Sequence, residues 1–126
     1  MQRRQQKRQG WTYTTYLKAK LAMVSLWRNY QQSPVLMCSY CKKSIITPEC
    51  HHVFLSRRYS LKDLRNMAPV HVAGEDPRCH EEAHAAGNTI IRLATLEVLG
   101  DGDIELGRQI VNEAGRQWTP KTWHDI

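Results

Sequence analysis

The placement of cysteine and histidine constrains the fold of this chain more than any other feature of its sequence. All four cysteines and five of the six histidines lie between positions 38 and 84, namely Cys38, Cys41, Cys50, Cys79, His51, His52, His71, His80 and His84. Thiolates and imidazoles are the side chains that bind transition metals such as zinc. In a reducing compartment this clustering indicates metal ligation rather than a disulfide framework.

The length and apolar content of the chain are those of one compact domain. With 126 residues, of which 41% are apolar, it can bury a modest core, which excludes a large two-domain enzyme and wholesale disorder. No apolar run reaches about 18 residues, and the Gln- and Arg-rich start lacks the features of a secretory signal. We therefore expect a soluble, cytoplasmic protein with no membrane partner.

The basic charge is concentrated at the start of the chain. The net charge is +6, and residues 1–37 hold seven basic groups and no acidic ones: Arg3, Arg4, Lys7, Arg8, Lys18, Lys20 and Arg28. Such an arm is either a solvated tail or a surface that contacts phosphates, and the middle of the chain favours the second interpretation. A polyanion such as DNA is the expected partner.

The flanks of the cysteine and histidine cluster show helical patterns. Apolar residues recur at steps of three and four from Tyr13 to Trp27, through Leu17, Leu21 and Val24, which predicts an amphipathic core helix that Ser33-Pro34 ends. Two more helices are predicted near 89–99 and 104–114. The acidic segment between them, 100–103, is expected to be a turn rather than a calcium loop, since it lacks the remaining ligands.

The middle of the chain predicts a β-hairpin followed by a helix. Cys38 to Cys41 form a tight turn, the His51-His52 pair lies in a first strand, and Met67 to Val72 form a second strand after a long basic loop. Asp76-Pro77 starts a helix that Gly87-Asn88 ends. We expect an α+β fold with a ββα core (38–87), an N-terminal arm and helix (1–37), and C-terminal helices and tail (88–126).

Spacing places the histidines in defined directions. His80 and His84 are four residues apart, so both imidazoles project from one face of the predicted helix. His51 and His52 are adjacent in a strand, so they point to opposite faces and only one can readily join the helical pair as a ligand. The histidine of this pair that does not bind the metal is expected to have a different role.

This arrangement resembles the HNH nuclease motif, also called the ββα-metal finger. Glu49-Cys50-His51-His52-Val53-Phe54 is similar to the first strand of that family, Asn66-Met67-Ala68-Pro69-Val70-His71 to its second, and Cys79-His80-Glu81-Glu82-Ala83-His84 to its helix signature. The resemblance implies that His51, His80 and His84 hold a catalytic metal (Mg²⁺, Mn²⁺, Ni²⁺ or Zn²⁺). It also implies that His52 is the general base and that Asn66 orients His52 or its loop.

A structural zinc is implied by the zinc-ribbon members of the same family, which this chain resembles in an altered form. Cys38 and Cys41 supply the first pair of ligands, and His71 stands where the family has a cysteine before Cys79. We expect a Cys3His site made of these four residues. Cys50 is the alternative to His71 as the fourth zinc ligand. The other interpretation of Cys50 is a simple buried thiol.

The resemblance implies a metal-dependent DNA endonuclease that leaves 5′-phosphate and 3′-hydroxyl ends by nicking or double-strand cleavage. Basic residues of the long loop, Arg57, Arg58, Lys62 and Arg65, are expected to grip flanking phosphates, unless they form a solvated face. A small free-standing chain with this motif resembles the HNH nucleases of phages and mobile elements. That resemblance implies packaging or recombination partners and a bacterial host cell.

Other interpretations stay open at this point. A non-catalytic zinc-binding DNA or RNA module would use the histidines to complete another structural site, and an interaction domain would keep the fold without activity. The flanking helices could form a homodimer or pack within one chain. The aromatic residues of the two tails could stack on bases or pack against the core: Trp11, Tyr13, Tyr16, Trp118 and Trp123.

Overall fold

The computed structural model describes residues 10–55, 60–72, 74–75, 77–83 and 88–126. Within these ranges the chain forms a two-stranded sheet and four α-helices: α1 (Tyr16–Gln31), β1 (Pro48–His52), β2 (Met67–His71), α2 (Pro77–Ala83), α3 (Asn88–Leu99) and α4 (Ile104–Trp118). A short 3₁₀ helix, Leu64–Asn66, leads into β2. The expected small α+β fold is thereby confirmed. None of the described helices has both the length and the apolar character needed to cross a bilayer.

Helix α1 begins and ends at capping residues. The side chain of Thr15 accepts a hydrogen bond from the backbone N–H of Lys18 at 3.1 Å, and Gln32, with φ of 53°, adopts the left-handed conformation that ends the helix. Its buried residues are Ala19, Met23 and Trp27. These lie four residues apart and therefore form one row along the helix.

The buried face of α1 differs from the predicted stripe. Leu17 and Leu21 were expected to face the core, but they are 63% and 59% exposed. The row that begins at Ala19 faces inward instead, since Ala19 and Met23 have no exposed surface at all. The spacing identified the helix correctly, but only tertiary packing selected which of two neighbouring apolar rows is buried.

The hairpin pairs β1 and β2 in antiparallel register. His51 lies opposite Ala68 and His52 opposite Met67. Every residue of β2 is buried, because this strand contacts α1, α2 and α3. Because helices cover β2, its residues before His71 are all apolar.

Helices α3 and α4 pack against each other and are joined by the 100–103 segment. Asp103 caps α4 by accepting a hydrogen bond from the N–H of Leu106 at 3.1 Å, and Gly102 adopts a φ of 98° in the turn. Gly107 lets the helices approach closely, since a Cβ atom there would lie 1.9 Å from the carbonyl oxygen of Leu96. This acidic segment serves as a helix connection.

A buried polar network ties α4 to the hairpin. The Asp63 carboxylate accepts hydrogen bonds from the guanidinium of Arg65 at 3.0 and 2.8 Å and from Nε1 of Trp118 at 2.8 Å. Arg65 also donates to Oε1 of Gln117 at 2.9 Å. Both charged side chains are almost inaccessible to solvent, so their mutual pairing offsets the cost of burying them.

Candidate metal centre and histidine hairpin

Four candidate ligands from three parts of the chain come together beside β2. One ligand atom from each of Cys38, Cys41, His71 and Cys79 lies within 4.8 Å of the other three. A tetrahedral zinc with Zn–S bonds of about 2.3 Å would separate its ligand atoms by roughly 3.8 Å. The donor set and its spacing therefore fit zinc, and these residues could bind such an ion.

The first two cysteines lie on a tight turn. The N–H of Cys38 donates to the carbonyl of Lys43 at 2.8 Å, and the N–H of Lys42 donates to the carbonyl of Cys38 at 3.0 Å. Lys42 takes the left-handed conformation, with φ of 68°. The N–H of Tyr40 points at Sγ of Cys38 at 3.4 Å.

The histidine of the cluster is oriented by a backbone carbonyl. Nε2 of His71 lies 2.8 Å from the carbonyl oxygen of Ser44, and Nδ1 lies 3.5 Å from Sγ of Cys41. Because a carbonyl only accepts, Nε2 carries the proton and Nδ1 offers its lone pair to the cluster. Burial lowers the pKa of His71, but hydrogen bonds to Ser44 and Cys38 raise it, and the net shift is upward.

The cysteine turn is anchored to the hairpin and to α2. Both the N–H and the hydroxyl of Ser39 donate to the carbonyl of Pro69, at 2.9 and 2.8 Å. The hydroxyl of Tyr40 donates to the carboxylate of Glu82, which raises the pKa of Tyr40. The other candidate ligand, Cys50, is buried in β1 and does not belong to the group of four.

The two adjacent histidines of β1 contact different elements. His51 is 7% exposed, and its Nε2 lies 3.1 Å from Oδ1 of Asn88 at the start of α3. The ring of His52 stacks on that of Tyr16 at the start of α1, with 6.3 Å between centroids and an interplanar angle of 26°. The strand therefore directs the two imidazoles to opposite sides of the hairpin, as its alternation requires.

Asn66 is fully buried and fastens the chain that follows His52. Its Oδ1 accepts hydrogen bonds from the N–H groups of Phe54 at 2.6 Å and Leu55 at 3.1 Å. Its Nδ2 donates to the carbonyl of Leu55 at 2.7 Å and to the hydroxyl of Ser60 at 2.6 Å. All of these partners lie in the loop after β1, so the side chain of Asn66 determines how that loop leaves the strand.

The expected catalytic metal site lies only partly within the described residues. Of its three expected ligands, His51 is fully described. Helix α2, which carries position 80, packs against β2. The side chain of His80 and all of His84 lie outside the described part of the structure. The convergence of His51, His80 and His84 on one metal therefore stays a prediction.

The predicted phosphate-binding residues have different environments. Lys62 is exposed, whereas Arg65 is 5% exposed and committed to Asp63. An arginine so buried has a role in the fold, so we no longer expect Arg65 to contact phosphates. The other predicted residues lie outside the described ranges: Arg57, Arg58, Arg3, Arg4, Lys7 and Arg8.

The aromatic residues of the two ends pack against the protein. Trp11, Tyr13 and Tyr16 are partly buried against the main core. Trp118 and Trp123 meet edge to face, with 6.0 Å between ring centroids. Of the two interpretations of these residues, these contacts favour packing.

Two contributors to the candidate sites were not identified from the sequence. The Ser44 carbonyl carries no signal, because any residue supplies one. Asn88 did have a signal, since it follows His84 by four residues just as His84 follows His80. The preceding glycine, however, gives Gly87-Asn88 the composition of a helix stop.

Comparison of the chain with models of known protein families, with curated proteins and with solved structures finds no match.

Proposed function

We propose that this chain is a metal-dependent DNA endonuclease of the HNH type. One observation carries the proposal: a β-hairpin holds two adjacent histidines on opposite faces, and a buried asparagine fastens the loop directly after them. A purely structural zinc module would not need the second histidine. Hydrolysis of a phosphodiester needs a base held in place, and this arrangement provides one.

In the proposed mechanism His52 is the general base. Its imidazole would take the proton of the attacking water. The ring of Tyr16 supports one side of His52. Asn66 holds the backbone of Phe54 and Leu55 and so keeps the end of β1 in a single conformation.

The residues that would hold the catalytic metal are His51, His80 and His84. A divalent ion bound there would neutralise charge on the scissile phosphate and stabilise the departing 3′ oxygen. Three imidazoles suit Zn²⁺ or Ni²⁺ better than Mg²⁺ or Mn²⁺, which prefer oxygen ligands. The ring of His51 contacts the side chain of Asn88 through Nε2.

A zinc ion in the Cys3His cluster would stabilise the arrangement of this site. Cys79 and His80 are neighbours on α2, of which the structure describes the seven residues Pro77–Ala83. Isolated helices shorter than about 12–15 residues are marginally stable in water. A zinc bound to Cys79 would hold α2 against the hairpin and thereby fix the backbone from which His80 projects.

DNA is the proposed substrate because of the charge distribution. The net charge is +6, and seven basic groups without an acidic one precede position 38. Lys62 is exposed in the loop that Asn66 fastens. A role in phage packaging or in recombination would suit a small nuclease of this kind, acting in the cytoplasm of a host cell.

The test is cleavage of supercoiled plasmid by zinc-loaded protein supplied with Mg²⁺, Mn²⁺, Ni²⁺ or Zn²⁺. We expect nicked or linear product, and we expect His52→Ala to reduce the cleavage rate by about 100-fold or more with unchanged thermal stability and DNA affinity. His124→Ala is the matched control, since His124 is exposed and lies outside the cluster. Normal cleavage by the His52 variant would refute the base assignment.

A second candidate function is a non-catalytic zinc module that binds DNA or RNA. One observation favours it: the metal cluster found within the described residues is a four-ligand set, which leaves no open position on a tetrahedral zinc. This alternative predicts one bound zinc and salt-dependent nucleic-acid binding. It also predicts no cleavage with any of the four metals.

A further inference from the structure

The carboxylate of Glu75 holds the segment that joins the cysteine turn to β1. Its two oxygens accept hydrogen bonds from consecutive backbone N–H groups, from Ile46 at 3.0 Å and from Thr47 at 3.4 Å. The N–H of Glu75 donates to the carbonyl of Val72 at 3.0 Å, which closes a turn directly after β2. Glu75 therefore ties the end of one strand to the residues that lead into the other.

The same carboxylate lies beside the histidine of the Cys3His cluster. Oε2 of Glu75 is 3.9 Å from Nε2 of His71, and the side chains of Glu75 and His71 are 22% and 5% exposed. That distance is too long for a hydrogen bond, so the proton on Nε2 is donated to the carbonyl of Ser44 at 2.8 Å. Because both side chains are largely shielded from water, the negative charge of Glu75 still acts on the ring electrostatically.

Glu75 also supports the carbonyl that orients the ring of His71. The N–H groups that Glu75 binds come two and three positions after Ser44 in the chain. Removing the carboxylate would release those N–H groups and loosen the segment that carries the Ser44 carbonyl. The other ring nitrogen of His71, Nδ1, lies 3.5 Å from Sγ of Cys41, on the side where the four candidate ligands converge.

We propose that Glu75 is a positioning residue of the Cys3His site and increases the affinity of that site for Zn²⁺ through His71. Its hydrogen bonds to Ile46 and Thr47 hold the Ser44 carbonyl against Nε2, which keeps the lone pair of the ring on Nδ1. Its charge makes that lone pair a better donor to a cation, as oxygens behind metal-binding histidines commonly do. The proposal does not depend on nuclease activity, because it concerns only the four ligands that lie together.

The experiment measures the Zn²⁺ affinity of the whole chain by competition with a chelator at constant pH. The variants are Glu75→Ala, which removes both oxygens, and Glu75→Gln, which keeps one accepting oxygen without the charge. NMR of the zinc-loaded proteins follows the ring proton on Nε2 of His71. Its exchange with water should be slow in wild type, because the proton is buried and bound to the Ser44 carbonyl.

Two controls separate this role from simpler ones. Glu81→Gln removes the same charge from an exposed position of α2, two residues after Cys79, and tests whether charge alone sets the affinity. Gly107→Ala overpacks the crossing of α3 and α4, which supplies no ligand, and tests the effect of lower stability. Glu81→Gln should bind Zn²⁺ like wild type, and Gly107→Ala should leave the exchange of the His71 ring proton unchanged.

We expect Glu75→Ala to bind Zn²⁺ about 10- to 100-fold more weakly than wild type and to exchange the ring proton of His71 faster. Glu75→Gln should fall between the two, and it decides alone if the alanine variant does not fold. Wild-type affinity in these variants, or weaker binding with unchanged proton exchange, would refute the proposal. An equal loss in Glu81→Gln, or a wild type that binds no zinc, would refute it as well.

Discussion

The side chain of Asn66 shows how much a single residue can contribute to this fold. It is fully buried, and both of its polar atoms are used twice within the loop after β1. The sequence predicted that Asn66 would orient His52 or its loop, through the resemblance to the HNH motif. Its four partners could not be predicted, because they belong to a loop without a periodic pattern.

Replacing Asn66 should destabilise the protein strongly. Asn66→Ala would remove four hydrogen bonds, which join Asn66 to two partly buried N–H groups, a carbonyl and a hydroxyl. It should lower the free energy of unfolding by about 2–4 kcal/mol. Asn66→Asp keeps the acceptor but loses both donated bonds, so it should fall between the alanine variant and wild type. Chemical denaturation measures both variants. Asn29→Ala, at an exposed position, is the control, and a cost equal to that of Asn66→Ala would contradict this account.

At the scale of elements, helix existence was more predictable than helix packing. The segments near 89–99 and 104–114 are helices with the bounds Asn88–Leu99 and Ile104–Trp118, because capping and turn residues act locally. The close approach of α3 and α4 depends on Gly107 and the backbone of Leu96. A glycine inside a helical pattern does not reveal which partner it meets.

Adding one methyl group at this crossing should separate the two helices. In Gly107→Ala the new Cβ would lie 1.9 Å from a carbonyl oxygen of α3, and backbone cannot yield as a flexible side chain can. The overpacking should outweigh the helix propensity of alanine and lower the free energy of unfolding by about 1–3 kcal/mol.

The matched control for this prediction is Gly74→Ala. Nothing lies within 4 Å of a Cβ built at Gly74, so the methyl group should be tolerated with little change in stability. Thermal unfolding of the two variants beside wild type makes the comparison. Equal melting temperatures for both would show that α3 and α4 do not pack as closely as described.

At the scale of the whole molecule, the Cys3His cluster joins parts that the chain itself does not connect. Its ligands come from the cysteine turn, the end of β2 and helix α2. The sequence implied this ligand set through the zinc-ribbon resemblance, with Cys50 as the competitor of His71. The four residues do lie together and could bind a zinc ion, and the ring of His71 is additionally oriented by Ser44.

Two buried cysteines provide a matched test of the cluster. Cys38→Ala should lose the zinc and lower the free energy of unfolding by about 4 kcal/mol or more, because a structural metal contributes folding energy directly. Cys50→Ala should retain one zinc and cost about 1–2 kcal/mol for the small cavity. Metal analysis and thermal unfolding of the purified variants measure both effects. If the Cys50 variant lost its zinc and the Cys38 variant retained it, Cys50 would be the zinc ligand and Cys38 the simple buried thiol.

What the sequence by itself determined is the local part of this protein: the types and spacing of the metal ligands, the hairpin followed by a helix, and the helices on either side. These follow from interactions between residues a few positions apart. Tertiary structure alone decided that Arg65 is buried against Asp63 and Gln117, that Ala19 rather than Leu17 faces the core, and that Asn88 meets His51. The physical reason is that each of these outcomes depends on how whole elements pack, which brings together residues as much as 52 positions apart.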